Sequence, residues 1–304
     1  MSPPPIAPSP PVPKIDYQAL ISEEVGKAKA QTDMVANGYA ASLAKLDEAH
    51  ALKFSAAAYS ASEHAATFGS ITKLIAYLAW DKAKGTSEAE SYLNTLIEPS
   101  ITPAVSDFHK DVNAETAKND YELRKVTVQL STNIAAIGPG NASPPSILDS
   151  SADASLEYDK LLKNLALKGA INSGSVVLGL PELLGKSILP KLIKPITSIA
   201  GRMFAKQIAK VAAMPVISSA TGPVPIGPIL AVIGLLWTGY DVYRMRPDFQ
   251  DEVYLKLRTN LDEIRVSART QASNSASTRT EEIRKVQIEI GAQALAAFLT
   301  LEAK

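Results

Sequence analysis

The residues in this chain whose types and spacing best suit a chemical task are six basic side chains between positions 186 and 210. They alternate with apolar residues such as Ile193 and Phe204, and no acidic residue interrupts them. Because cationic groups beside an apolar helix face attract anionic lipid head groups, the pattern predicts a membrane-surface site. The alternative is a solvated basic face beside a buried apolar one. The six residues are Lys186, Lys191, Lys194, Arg202, Lys206 and Lys210.

Spacing and proline positions predict how these basic residues are presented. Arg202, Lys206 and Lys210 are separated by four residues, which predicts that they share one face of a helix. Three prolines between positions 181 and 195 predict short helices of two or three turns that lie flat on a surface.

An apolar segment follows directly, since no Asp, Glu, Lys, Arg or His occurs from Val211 to Tyr240. Four prolines between positions 215 and 228 rule out one continuous helix and predict a hairpin with arms at 200–220 and 226–243. The second arm is about 27 Å long, just under the roughly 30 Å hydrocarbon core, so it spans a bilayer only marginally. The residues predicted to insert are Ile226, Ile229, Leu230, Val232, Ile233, Leu235, Leu236, Trp237 and Tyr240.

Aromatic and basic residues end this segment and are predicted to anchor it at the lipid boundary. Tyr243, Arg244 and Arg246 are the proposed anchors, because Tyr and Arg side chains favour the interface between lipid and water. The positive charge predicts that this end faces the cytoplasm. The alternative is a hairpin buried at the centre of a helical bundle.

Residue types that support catalysis do not form a recognisable motif. The chain has no Cys, which excludes a thiol nucleophile and a Cys-based zinc site. His50, His64 and His109 lie in separate, polar sequence contexts. A phosphate-binding loop is also missing, because Leu180 stands where the motif that ends at Ser187 needs its first glycine.

Adjacent carboxylates, as in 23–24 and 281–282, are predicted to be solvated on helix surfaces. We therefore predict a non-enzymatic protein with no catalytic residue, cofactor or metal ion. The 31 basic and 31 acidic residues cancel, so we expect no nucleic-acid partner. The expected partners are a bilayer with anionic head groups and either further copies of the chain or another helical protein.

The elements that position these residues are predicted to be helices. Apolar residues recur every three or four positions before and after the apolar segment, and no strand-like alternation of useful length occurs. We predict an all-α protein, an elongated bundle of long amphipathic helices with a central Pro/Gly-rich apolar segment that acts on membranes. Its predicted parts are a Pro-rich disordered tail (1–15), an N-terminal long-helix region (16–137), a linker (138–149), the basic amphipathic and apolar hairpin region (150–247), and a C-terminal long helix (248–304) that packs on the N-terminal region.

Local signals predict where helices begin and end. A long helix from Asp16 carries an apolar stripe from Tyr39 to Leu78, and Gly85 ends it. The segment 65–80 is too short to span a bilayer, and we expect it to be core. Pro99 and Pro103 predict another boundary, and Asp248 is the predicted N-cap of the last helix. Residues 271–280 are polar all round, which predicts an exposed helical stalk or a break.

The first residues do not resemble a signal peptide, because they lack a charged start and an apolar run. We therefore expect a membrane-associated protein that is anchored from the cytoplasmic side or secreted without a leader. The tail also has the Pro-x-x-Pro spacing of ligands for SH3-like grooves, but this spacing is common in Pro-rich tails, so we expect a flexible tail.

Long amphipathic helices before and after a central apolar hairpin form an organisation that resembles the α-helical pore-forming toxins of the ClyA type. The resemblance covers the plan of residues 16–303 and rests on no sequence motif. It implies a soluble bundle whose apolar head, here Gly169 to Tyr240, unfolds onto a bilayer and oligomerises. The same plan fits a different class, a permanently membrane-anchored structural or interaction protein.

Overall fold

The computed structural model describes residues 15–138, 189–213 and 240–302, and this part of the chain is almost entirely helical. It contains six α-helices and no strand, which confirms the prediction of an all-α fold. The helices are α1 (Tyr17–Ala65), α2 (Phe68–Lys84), α3 (Glu88–Ile137), α4 (Leu189–Met203), α5 (Ala205–Ala212) and α6 (Tyr240–Glu302).

The described residues form two compact units. Unit 1 contains 15–38, 118–138 and 276–302, and unit 2 contains 39–117, 189–213 and 240–275. Helices α1, α3 and α6 contribute residues to both units, whereas α2, α4 and α5 belong to unit 2.

Unit 1 is held together by apolar residues that recur every three or four positions on three helices. The ring of Tyr17 meets the ring of Phe298 edge-on, with 5.4 Å between their centroids. Burial of such side chains stabilises a bundle by about 25 cal/mol for each Å² of apolar surface removed from water. The cluster contains Tyr17, Ile21, Ala28, Val126, Leu130, Ile134, Ala294 and Phe298.

A polar pair interrupts the apolar core of unit 1. Thr32 of α1 and Gln287 of α6 are both fully buried, and the Gln287 Nε2 donates a hydrogen bond of 2.8 Å to the Thr32 Oγ1. Asp120 of α3 is also largely removed from solvent, and Arg279 of α6 donates to its two carboxylate oxygens at 2.8 and 2.7 Å. Burial raises the pKa of Asp120, and the Arg279 guanidinium partly opposes this effect.

The core of unit 2 is richer in aromatic residues. Phe54 of α1 and Phe108 of α3 are almost fully buried, and their rings meet edge-on at 5.6 Å. Phe249 of α6 begins a buried stripe that continues every four residues through Val253, Leu257 and Leu261. This stripe packs in unit 2 with the spacing expected of an amphipathic helix.

Two breaks separate α1, α2 and α3. Gly85 ends α2 with a φ of 69°, a left-handed conformation that favours glycine, so the predicted break there is confirmed. The single long helix predicted to carry the stripe from Tyr39 to Leu78 is wrong, because the extended backbone of Thr67 divides α1 from α2. The Thr67 hydroxyl accepts a hydrogen bond from the Ser70 backbone N–H at 3.1 Å and so caps α2. Phe68, predicted on the buried stripe, is 51% exposed.

The prediction that residues 65–80 belong to the core and do not span a membrane is confirmed by the burial of α2. Its largest buried side chains include Ile71, Leu74, Ile75 and Trp80. Asp81 then joins α2 to α3, because its two carboxylate oxygens accept hydrogen bonds from the first backbone N–H groups of α3 at 2.9 Å each. This caps an end where those N–H groups have no partner within the helix.

The boundary predicted at Pro99 and Pro103 is wrong, because α3 runs through both residues. Both prolines lie on its exposed side, where water can reach the carbonyl groups that lose their backbone partners. The opposite side buries Leu93, Ile97 and Ile101. Their packing offsets the roughly 3 kcal/mol that a proline costs inside a helix.

Two predictions about α6 are also wrong. Asp248 is not an N-cap, since α6 begins at Tyr240 and passes through the exposed Pro247. The buried Val242 and Phe249, one on each side of this proline, favour continued helix. The polar segment 271–280 is neither a break nor fully exposed. It remains helical and buries small side chains at a spacing of four residues, which are Ala272, Ala276 and Thr280.

Candidate membrane-binding surface

Helices α4 and α5 of unit 2 carry five of the six basic residues that are predicted to contact a membrane. Each has a strongly segregated apolar side that is buried, and α5 packs mainly against α2. The buried side chains on these two helices are Leu189, Leu192, Ile193, Ile196, Ala200, Ile208 and Val211. The apolar side is therefore used for packing within unit 2, which leaves the opposite side for solvent or another surface.

The basic side chains lie on that opposite side. Five of the six predicted residues are described, and all five are exposed, whereas Lys186 lies outside the described residues. No acidic residue occurs between positions 189 and 213. The charged side chains of α4 and α5 are therefore all cationic and exposed, and we call these five residues the basic surface: Lys191, Lys194, Arg202, Lys206 and Lys210.

The prediction that one helix carries Arg202, Lys206 and Lys210 is wrong, because Arg202 lies on α4 whereas Lys206 and Lys210 lie on α5. Phe204 leaves the helical conformation, with φ −102° and ψ 18°. Its side chain is fully buried, and its ring lies 5.3 Å from that of Phe249 on α6. The aromatic side chain at the break is therefore part of the core. Lys206 and Lys210 are four residues apart on α5 and so lie on the same side of that helix.

The prolines act differently from the prediction. Pro195 does not divide α4, which extends for 15 residues through it. Pro190 stands at the second position of the helix, where a missing backbone N–H costs little. The segment that was predicted to be two or three turns long is therefore about four turns long.

Arg202 differs from the four lysines because it has an acidic partner. Its Nη2 donates to the Glu252 carboxylate of α6 at 2.5 Å, and both side chains are substantially exposed. This pair stands beside a groove of 570 Å³ between α4 and α6, whose lining includes the apolar residues Ile199 and Leu255. The four lysines have no hydrogen-bond or ion-pair partner within 15–138, 189–213 and 240–302.

The residues predicted to insert into the bilayer lie outside the described residues, except for one. Ile226, Ile229, Leu230, Val232, Ile233, Leu235, Leu236 and Trp237 fall in 214–239, and Tyr240 is the first residue of α6. Of the predicted anchors, Tyr243 is 70% exposed, Arg244 is exposed and Arg246 is partly exposed. All three lie in the first turns of α6.

None of the helices that the structure describes combines the length and apolar composition needed to cross a bilayer. The same part of the chain holds no group of three or more acidic or histidine side chains placed to bind a metal ion.

Two of the three histidines are buried, although all three have polar sequence neighbours. His50 and His109 are 2% and 7% exposed in unit 2, whereas His64 is exposed. The burial of His109 is indicated by its spacing from apolar residues and not by its immediate neighbours in the sequence. His109 lies four residues after the buried Val105, so it falls on the same side of α3.

The adjacent carboxylates take part in helix-surface ion pairs. Lys27 lies 2.8 Å from Glu23 and 2.7 Å from Glu24. Hydrogen bonds from Lys27 and then Asn133 lower the pKa of Glu24. Pairs of this kind at spacings of three or four residues support isolated helices modestly.

No known protein family, no curated protein and no solved structure that was compared with this chain matches it significantly.

Proposed function

We propose that this protein is a non-enzymatic, membrane-binding helical-bundle protein of the pore-forming type. In this proposal the basic surface docks on anionic lipid head groups, residues 226–240 enter the bilayer, and several copies assemble there. The observation that carries the proposal is the exposure of five basic side chains on two helices without an acidic residue, immediately before a charge-free segment.

Electrostatic attraction supplies the first step. Each Lys or Arg near an anionic surface contributes about 1 kcal/mol, and salt screens this attraction. The four lysines of the basic surface need not break an ion pair with a described residue in order to contact lipid. Arg202 must exchange Glu252 for a lipid phosphate, which is feasible because the pair is exposed.

Vesicle sedimentation tests this step with charge-matched variants. Lys206→Gln with Lys210→Gln should weaken binding to anionic vesicles by up to about 30-fold, the equivalent of about 2 kcal/mol. The control, Lys45→Gln with Lys53→Gln, removes the same charge from exposed positions on α1 of unit 2. Equal loss in both double variants, or equal binding to neutral and anionic vesicles, would contradict docking through the basic surface.

Insertion is tested separately at the centre of the apolar segment. Ile233→Asp should abolish partition into vesicles, since a charge at the bilayer centre costs about 2.5 to 3.5 kcal/mol on insertion scales. If the segment is instead buried in protein, the same variant leaves an unpaired carboxylate in an apolar interior and should reduce solubility and helix content together. Because the chain lacks Cys, dye-labelled single cysteines at Leu230, Ile233 and Leu236 also report depth. Water-like emission from all three in the presence of vesicles would refute insertion.

Release of a trapped dye distinguishes the two membrane functions. A pore-forming protein should be soluble without detergent and should empty vesicles, whereas a permanently anchored scaffold should require detergent and leave them intact. Retention of dye at saturating vesicle binding would remove pore formation from the proposal.

A further inference from the structure

Unit 2 contains a titratable group that the proposed function does not use. His109 of α3 is 7% exposed, and neither its Nδ1 nor its Nε2 has a hydrogen-bond partner among the residues described. A neutral imidazole normally donates from one ring nitrogen and accepts at the other. A buried histidine that does neither is poorly prepared to carry a positive charge. Protonation adds a second unpaired donor and creates a charge where water cannot solvate it.

A second buried histidine lies at the same level of the unit. The His50 Nε2 of α1 is 2.8 Å from the Asp111 Oδ2 of α3, and its Nδ1 has no partner in the described ranges. Its ring is packed edge-on against Phe54 and Phe108. Unit 2 therefore contains two buried imidazoles, and His109 lies two residues before Asp111, the contact of His50, along α3.

The charged groups of α1 and α6 near His50 are already paired with one another. Asp47, one turn before His50 on α1, forms ion pairs with Arg265 and Arg269 of α6, and Arg265 also contacts Asp262. The charged groups within two residues of His109 on α3 are Asp107, Lys110 and Asp111, and Asp107 and Lys110 are exposed to solvent. Burial alone lowers the pKa of His109 from its ordinary value of 6.5, and none of these charges contributes to the shift.

We propose that His109 makes unit 2 an acid-sensitive bundle, in which protonation of this buried and unpartnered imidazole loosens the packing of α3 under mildly acidic conditions. The physical effect follows from proton linkage. Above about pH 6.5 both the folded and unfolded chains keep His109 neutral, so its contribution to stability is fully present. Below that value the unfolded chain binds a proton that the folded unit resists, and stability decreases until the folded-state pKa is reached.

The sensitive unit is the one that carries the basic surface. Acid would therefore destabilise the unit that carries α4 and α5, at the pH range in which histidine acts as a switch. This inference concerns folding and does not depend on the proposed function, so each can fail without the other.

Urea unfolding as a function of pH tests the switch. From about pH 6.5 downward, His109 should increase the unfolding equilibrium constant by up to tenfold for each pH unit. His109→Leu should remove this dependence, whereas His64→Gln, which removes the exposed histidine, should retain it. The same acid dependence in wild type and His109→Leu would overturn the proposal.

A measurement on the unaltered chain keeps the test decisive if His109→Leu fails to fold. The sequence contains three histidines, so their imidazole proton resonances can be followed individually by NMR during a pH titration. The proposal requires the His109 resonance to titrate below pH 6.5. Titration at or above 6.5 would overturn it, whatever the behaviour of the variant.

Discussion

Phe204 is the side chain whose removal most directly tests how the basic surface is held on unit 2. It is fully buried at the interruption between α4 and α5, and its ring lies 5.3 Å from that of Phe249. Phe→Ala changes in cores cost about 3 to 5 kcal/mol, and a paired ring adds about 0.5 to 1.5 kcal/mol beyond its buried area. We therefore expect Phe204→Ala to lower the free energy of unfolding by about 3.5 to 6.5 kcal/mol.

Phe68→Ala is the matched control, since it removes the same atoms from a ring that is 51% exposed. Half of the 1.5 to 3 kcal/mol that full burial of such a side chain contributes gives an expected loss of about 1 kcal/mol. Both values are measured by urea unfolding followed by far-ultraviolet circular dichroism. If the two variants lose the same stability, Phe204 does not anchor α4 and α5 by packing against Phe249 of α6.

Two predictions concern unit 1. Gly291→Ala should destabilise it by about 1 kcal/mol or more, because the new Cβ would lie 2.7 Å from the Val25 Cγ2. Gly26→Ala should instead stabilise it by about 0.5 to 1 kcal/mol, because the new Cβ meets nothing within 4 Å. Thermal unfolding of the pair measures this difference, and a stabilising Gly291→Ala would contradict the packing. Thr32→Val should cost about 1 to 3 kcal/mol by leaving the Gln287 amide unpaired, and adding Gln287→Met should recover most of that loss. A double-mutant cycle in urea measures the coupling, and additive losses would show that the two side chains do not depend on each other.

Apolar periodicity was sufficient to predict the helical class and most of the core, because burial of a stripe requires only the right spacing. Local rules failed where packing on the opposite face was stronger. Pro99, Pro103 and Pro247 each remove one backbone hydrogen bond on an exposed side, while the buried side continues without interruption. A rule that considers only the residues next to a proline cannot include the stabilisation that comes from packing of the buried side of the helix.

The exposure of the basic residues was also predictable, since cations alternate with apolar residues over the whole stretch. The interruption at Phe204 was not, because it depends on Phe249, which lies 45 positions later. The same holds for the Glu252 partner of Arg202. Each depends on a contact or an enclosure that forms only when distant helices pack.

The buried pair of Thr32 and Gln287 also limits how α1 and α6 can be aligned in unit 1. If one helix moved along the other by a single turn, about 5.4 Å, the glutamine amide would face an apolar neighbour such as Ala28 or Val35. Apolar side chains tolerate such a slip because many of them are interchangeable, but the buried Gln287 Nε2 would lose the acceptor that Thr32 provides. The pair therefore gives this stretch of two similar-looking helices a single preferred register, much as one polar residue does in a coiled coil.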